Sequence, residues 1–405
     1  MIIIVGAGIA GLSIADKLVA AGIRDILIIE KEGHIGGRIL TSKKHHVEIG
    51  AGRIHLTHKH TLALVKRFGL ETIPIGGPTL FRPLGSRTAR PNLFEDTWRP
   101  IADLLSRLPY TELATHTIRE LLVRILGPKQ TEALLIEFPY RAETEMMRAD
   151  LGLKAFTDGI SAHEGFVIVK GGLSTLINSL TARLEKAGVT FRLNTTVTDV
   201  TAAGVHIQKE CLKADRIILA LPVWALQKVP SLKVDPTLQL LGSSPLTRIY
   251  ATYPETGWFG SKKLVTDSPL RHIIPVGSNT LMISYTDGAD TASYQGLEGA
   301  ALQKAIQHDL RILLPEKAVA KAVPEPTWIQ AYEWSEGTTY WKPGSYDPIQ
   351  QGKAILQPKP SDQPNLYICG ESFSEKQAWI EGALEHADLL WTTHLGTAAG
   401  LRLAS

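Results

Sequence analysis

A chain of 405 residues, 44% hydrophobic and 20% charged, can bury a large core and is too long for one compact layer pair, so two or more domains are expected. Its net charge of +3, with both signs dispersed, argues against nucleic acid or an anionic membrane as a partner. The only cysteines, Cys211 and Cys369, lie far apart in strand-like surroundings, which excludes a disulfide framework and favours a reducing compartment.

The chain opens on Ile2-Ile3-Ile4-Val5, an apolar run of the length of a buried parallel strand. Gly6-Ala7-Gly8-Ile9-Ala10-Gly11 follows, then a helix pattern with Leu12, Ala15, Leu18 and Val19 on one face. A second apolar run, Ile26 to Ile29, ends at Glu30. Strand, glycine turn, helix, strand and acid stand in the register of a dinucleotide-binding fingerprint. Gly6 permits the turn, Gly8 lets a pyrophosphate approach the backbone, and Gly11 lets the helix pack on the strand. Phosphates then sit on the unpaired amides of the helix N-terminus, and Glu30 accepts from an adenosine ribose. Because the first strand starts at residue 2 without a basic leader, no signal peptide is expected.

Val47-Glu48-Ile49-Gly50-Ala51-Gly52-Arg53-Ile54 reads as a strand end and a glycine-rich turn carrying an arginine. A helix pattern with Leu62, Val65 and Phe68 stops at Gly69, and the Gly-, Pro- and Arg-rich stretch from Gly76 to about Arg90 is expected to be irregular. Ile101, Leu104, Leu105 and Leu108, then Ile118, Leu121, Leu122 and Ile125, repeat helical spacing, so this region reads as a helical insertion. Phe166 to Val169 leads through Lys170-Gly171-Gly172 into another helix, and strand-like runs follow at 189–200 and 216–221. Residues 223–345 mix strands, among them Arg248 to Tyr253 and Leu281 to Tyr285, with a helix around Leu302 to Leu313. Leu366 to Ile368 is a last buried strand, and a helix over Ala378 to His394 returns the chain to the cofactor. No apolar run reaches membrane-span length, and His394 to Ser405 reads as a short mixed tail, so a cytoplasmic protein is expected.

Four of these pieces resemble the flavin-dependent amine oxidases: the N-terminal glycine fingerprint, the turn Gly36-Gly37-Arg38, the helix entry Lys170-Gly171-Gly172, and the closing Cys369-Gly370-Glu371 with Trp379-Ile380-Glu381-Gly382-Ala383. The resemblance implies an α/β fold: an FAD-binding Rossmann-like domain of the glutathione-reductase type with a sheet-based substrate domain and a helical insertion. The expected division is 1–75, 166–222 and 346–405 for FAD, 76–165 for the insertion and 223–345 for substrate. It implies a non-covalent FAD, since Glu336 stands where some members carry a linking cysteine. Gly6, Gly8, Ala10, Gly11, Glu30 and Lys31 would hold its nucleotide. Gly36, Gly37 and Arg38, with the arginine as a forked donor, would face its diphosphate. Val197 would meet adenine through its backbone, and Glu371 the polar chain beside Gly370. Gly50, Ala51, Gly52 and Arg53 would lie against the cofactor, as would Trp379, Ile380 and Ala383, where a helix directs its positive end at the flavin.

Within the superfamily three positions resemble the L-amino acid oxidases more than the monoamine oxidases. The resemblance makes Arg53 the grip on a substrate carboxylate, Tyr285 its partner and Trp379 the wall beside the amine. A buried carboxylate needs a fixed counter-charge, and an arginine fork supplies two donors. Otherwise Arg53 would be a surface or pyrophosphate arginine, and Tyr285 and Trp379 core residues. Two positions depart from the family: Arg248 replaces a lysine that holds water near flavin N5, and Gly337 replaces a cage tyrosine, leaving Trp379 without its partner unless Trp334 or Tyr340 swings in. Arg248 keeps its charge and cannot shuttle a proton, so it would order water or bind the carboxylate.

The expected reaction is oxidation of the Cα–N bond of an L-amino acid by hydride transfer to flavin N5, with dioxygen as the second substrate. The alternatives are a primary amine or polyamine, a flavin desaturase of a non-amine substrate, and a non-catalytic FAD scaffold. A homodimer stays open. No metal is expected: His55, His58 and His60 lack acid partners at zinc-motif spacing and read as a solvated turn.

Overall fold

Ile2–Val5 is the middle strand of a five-stranded parallel sheet in the order Leu366–Ile368, Arg216–Leu219, Ile2–Val5, Ile26–Ile29, Thr190–Arg192. Ile2 and Ile4 face one core with Leu12, Leu18, Leu176, Leu180 and Leu384. Ile3 and Val5 face another with Val200, Val205, Leu219 and Val223. Both faces are covered, which is why the strand is apolar at every position rather than at alternate ones. The computed structural model describes residues 1–92, 94–138, 140–157, 165–201, 203–277, 279–316, 323–358 and 365–396. Residues 158–164 of the expected insertion and 397–405 of the expected tail lie outside that set. No helix among the described residues is long and apolar enough to cross a membrane.

The turn after Ile2–Val5 follows its glycines. Gly6 has φ +104°, and a Cβ there would lie 2.5 Å from the carbonyl oxygen of Ala220. A Cβ on Gly11 would overlap the carbonyl oxygen of Gly6, so only glycine lets the helix Ile9–Ala20 lie this close to the strand.

A seven-stranded sheet stands beside it, in the order Trp328–Trp341, Leu241–Thr252, Thr280–Asp287, His272–Pro275, Lys263–Thr266, Thr79–Arg82, Arg90–Pro91. Its last two strands correct the sequence reading: the stretch expected to be irregular contains Thr79–Arg82, paired parallel to Lys263–Thr266, and Arg90–Pro91 beyond it. Gly77 and Gly85, both at positive φ, break the pattern locally, while Lys263–Thr266 supplies the partner that local composition does not reveal. The 189–200 run also divides: it holds Thr190–Arg192, then a stretch outside strand, then Asp199–Thr201. A small separate sheet is centred on Phe166–Val169, with Ile54–His55 and Thr72–Ile75 at its sides.

The helices of the insertion begin at Phe94 and have their own core, including Trp98, Leu105, Ile118, Leu121, Leu122 and Phe156. Thr117 and Glu120 form a reciprocal capping box at the head of Ile118–Leu126. The short helix Arg141–Glu145 is pinned to the large sheet: Asp287 accepts from the amides of Arg141 (2.7 Å) and Ala142 (3.4 Å). Asp290 pairs with Arg141 (2.9 Å) and Arg271 (3.0 Å). This anchoring fixes where the following residues, up to Glu143, stand.

Candidate active site

One cavity of about 1360 Å³ is lined by residues of both large sheets and of the insertion. Apart from Gly11, which lies beneath it as packing, every expected cofactor and substrate residue is on its wall. It exceeds the 300–1,000 Å³ usual for a small-ligand pocket, as a dinucleotide with a substrate beside it requires.

At the nucleotide end, the carboxylate of Glu30 is oriented by the amides of Ala7 (2.9 Å) and Glu32 (3.0 Å). Gly8 is the N-cap of Ile9–Ala20, and a Cβ there would meet no protein atom within 4 Å. The space in front of this helix N-terminus is a cradle that a side chain would fill, and it fits the expected diphosphate. Trp224, which the sequence reading passed over, sits with Lys31 Nζ 5.2 Å and Lys228 Nζ 5.5 Å from its ring centre. Arg38 lines the same wall. One guanidinium nitrogen donates to Glu371 (2.7 Å) and another to the carbonyl of Gly337 (3.3 Å), so its fork ties two cavity walls together. The other oxygen of Glu371 accepts from the amide of Ala378 (2.5 Å).

The Gly370 segment is held by His386, whose Nδ1 accepts from the Gly370 amide (3.1 Å) while Nε2 donates to the carbonyl of Gly352 (3.0 Å). That pattern requires the neutral ring, and burial pushes its pKa down to about 4. Above about pH 6.5 the ring is neutral folded or unfolded. As pH falls from there toward 4 the unfolded chain takes up the proton first, so stability falls, by at most about 3 kcal/mol from this residue. Melting temperature should therefore drop between pH 7 and 5, and His386→Gln, which offers the same acceptor and donor, should make the drop smaller. An identical pH profile in the variant would show that His386 is not a source of the acid sensitivity.

The glycine-rich turn at 50–52 brings backbone against backbone. A Cβ on Gly50 would overlap the carbonyl oxygen of Arg38, and one on Gly52 would lie 2.9 Å from Arg248 Nη1. Glu48, absent from the sequence-derived set, anchors the turn. Its carboxylate accepts from Thr41 Oγ1 (2.8 Å) and the Leu173 amide (2.7 Å). Its carbonyl accepts from Tyr250 Oη (2.7 Å) and Arg248 Nη1 (3.3 Å).

At the substrate end, Arg53 rests among aromatic rings. Its guanidinium carbon is 4.4 Å from the ring centre of Phe166, 5.6 Å from Trp379 and 5.9 Å from Tyr140. Nη2 donates to Tyr140 Oη (2.9 Å). Arg248 and Tyr285 are cross-strand partners, with the guanidinium carbon 5.5 Å from the phenol ring centre. Burial raises the pKa of Tyr285, which stays a neutral donor. His272 lines the same end, with its Nε2 unpartnered among the described residues and its pKa pushed down to about 3 by burial.

Of the two candidates for the missing cage ring, Tyr340 is buried and off the cavity wall, while Trp334 lines the cavity with its indole N–H on the carbonyl of Ile49 (2.9 Å). A Cβ on Gly337 would lie 2.7 Å from Leu246 Cβ, so no side chain fits there. The neighbours of Trp379 are instead Phe166, near-parallel at 5.8 Å, and the edge of His58 at 5.0 Å. The histidine run is therefore not a solvated turn: His55 and His58 are buried, and burial lowers the pKa of His58 to about 4. His60, Glu381 and Glu385 bring ligand atoms within 4.8 Å of one another. Both Glu381 oxygens there accept backbone amides, from His60 and Thr61, at the head of the helix Lys59–Arg67.

Glu143 is a further residue that sequence reasoning missed. It lines the cavity and interacts electrostatically with Arg53, Tyr285, Asp287 and Tyr340. No motif marks it, since it stands in the helical stretch that the resemblance covers least. Neither Cys211 nor Cys369 is on the wall.

Residues 9–389 match the family of flavin containing amine oxidoreductases. The chain is 21% identical to an L-amino-acid oxidase of Demansia vestigiata, over 95% of this chain and 84% of that protein. It is 23% identical to a flavin-dependent L-tryptophan oxidase of Lentzea aerocolonigenes, over 95% of this chain and 96% of that protein. Among solved structures it is similar to cyclohexylamine oxidase from Brevibacterium oxydans, with a TM-score of 0.76 and 16% identity, covering 100% of this chain and 98% of that one.

Proposed function

The chain belongs to the flavin-containing amine oxidoreductases, and from that membership we propose that it oxidises the Cα–N bond of an L-amino acid, giving an imino acid that hydrolyses to a keto acid and ammonia, with dioxygen converted to hydrogen peroxide. FAD, when bound, supplies the acceptor for the hydride that leaves Cα. It is held without a covalent link, a reading supported by the absence of both cysteines from the cavity wall.

The observation that carries the amino acid reading is the seat of Arg53. An amine site needs an aromatic box left open for the substrate's own cation. Here the rings of Phe166, Trp379 and Tyr140 already surround the guanidinium of Arg53. That cation makes one hydrogen bond among the described residues, to Tyr140, which leaves donors for an incoming anion. A carboxylate taken there gains a bidentate partner and the neutral hydroxyl of Tyr285 beside it. Arg248 contributes orientation and field through its guanidinium, not proton transfer. The walls then fix the Cα–H bond and keep water away.

Anaerobic mixing of the yellow protein with amino acids and with the matching decarboxylated amines tests this. Amino acids should bleach the flavin band and the amines should leave it. Bleaching by amines alone would replace this reading with the amine one, and no bleaching by either class would remove both.

A further inference from the structure

We infer that Glu143 takes the proton from the substrate's ammonium group: an amino acid enters as a zwitterion, its carboxylate pairs with Arg53, and Glu143 becomes the neutral acid as the amine becomes free to react. The inference rests on the carboxylate reading of Arg53 and adds a proton acceptor to it.

Geometry gives Glu143 access. It stands on the cavity wall, on the helix Arg141–Glu145 that Asp287 and Asp290 pin to the large sheet. The charged and titratable groups facing it from other elements are Arg53 on the glycine turn, Tyr285 and Asp287 on Thr280–Asp287, and Tyr340 on Trp328–Trp341. On its own helix, Arg141 and Glu145 pair with each other (2.8 Å). Tyr340 interacts electrostatically with the Glu143 carboxylate. Oε2 has no partner among the described residues and is closed to solvent. A carboxylate with one oxygen unsatisfied holds its charge at a cost that protonation removes.

Charge accounting selects this role. With Glu143 ionised, the cavity holds Arg53 as a cation and Glu143 as its resident counter-charge. The zwitterion adds one charge of each sign. When the proton moves, an N–H bond breaks with its electron pair left on nitrogen, and an O–H bond forms on Glu143. The four buried charges become two, Arg53 and the substrate carboxylate, in direct contact. Burying fewer unpaired ions is favourable, so binding itself drives the deprotonation that hydride loss from Cα requires. Asp287 does not compete, because it is off the cavity wall and takes backbone amides. Burial raises the pKa of both acids, and the Arg53 guanidinium facing Glu143 draws that carboxyl back down, which favours its ionised form in the empty site.

A carboxylate without an amine separates this from a purely structural role. Titration of the FAD-loaded enzyme with propionate or 3-phenylpropionate, by calorimetry at pH 7.5 in two buffers of different ionisation enthalpy, should show close to one proton taken up per ligand bound. The proton comes from solvent because the ligand brings none. Glu143→Gln should bind the same carboxylates with no proton uptake. In anaerobic flavin bleaching by amino acids, the variant should be slow near neutrality and recover roughly tenfold per pH unit as free amine increases, with a flatter profile in the parent. Carboxylate binding without proton uptake in the parent, or equal uptake in both proteins, overturns the role of Glu143 and leaves Arg53 standing. Failure of either carboxylate to bind overturns the reading of Arg53, and this inference with it.

Discussion

Arg53→Ala is expected to weaken amino acid binding by about 2–5 kcal/mol, the usual cost of removing one partner of a desolvated charge pair. The loss should appear in the concentration dependence of anaerobic flavin bleaching. It has two sources: the substrate carboxylate loses its counter-charge, and Phe166, Trp379 and Tyr140 lose the cation they surround. Arg53→Lys separates them. It restores a charge without the planar fork or the ring stacking, so it should recover part of the affinity and fall short of the parent. An unchanged concentration dependence in Arg53→Ala would take the carboxylate site away from this residue. Glu143→Gln in the Arg53→Ala background should add little, because the two charges serve each other.

Gly8→Val should cost the protein its FAD while leaving its fold. A Cβ at Gly8 meets no protein atom within 4 Å, so the chain accepts the side chain without strain. It would occupy the cradle in front of Ile9–Ala20 and hold the diphosphate off the helix amides. We expect FAD affinity to fall by about a hundredfold, ~2.7 kcal/mol at ~1.4 kcal/mol per tenfold, read by titrating the apo-protein with FAD and following flavin fluorescence. Melting of the apo-protein should be unaltered. Gly11→Ala gives the contrast, since its Cβ would overlap the carbonyl oxygen of Gly6 and part the helix from the strand. That variant should lose stability as well as cofactor. If Gly8→Val bound FAD like the parent, the cradle would not be the diphosphate site.

The parts of the molecule legible in the sequence are those whose logic is local. Ile2–Val5, the three glycines, Glu30 and the helix after Trp379 each announce themselves within a few residues, because turn geometry and helix termini are short-range demands. Thr79–Arg82 was hidden because glycine, proline and arginine dominate its surroundings, and its strand character comes from Lys263–Thr266 alongside. His55 and His58 were misread by residue type: their burial is set by Phe166 and Trp379, which arrive from distant parts of the chain. The motif around Arg38 gives no sign of its tie to Glu371, more than three hundred residues later. Tyr140 and Glu143 were invisible for the same kind of reason. They stand in a helical stretch with no motif, and only the anchoring of Arg141 and Ala142 by Asp287 brings them to Arg53.

The packing of Leu246 against Gly337 ties these two positions together. The contact is with the Cβ of Leu246, which every residue but glycine carries, so shortening 246 to alanine would not open position 337. A ring at 337 would need glycine at 246 or a parting of the two strands, so no single replacement adds it to this wall.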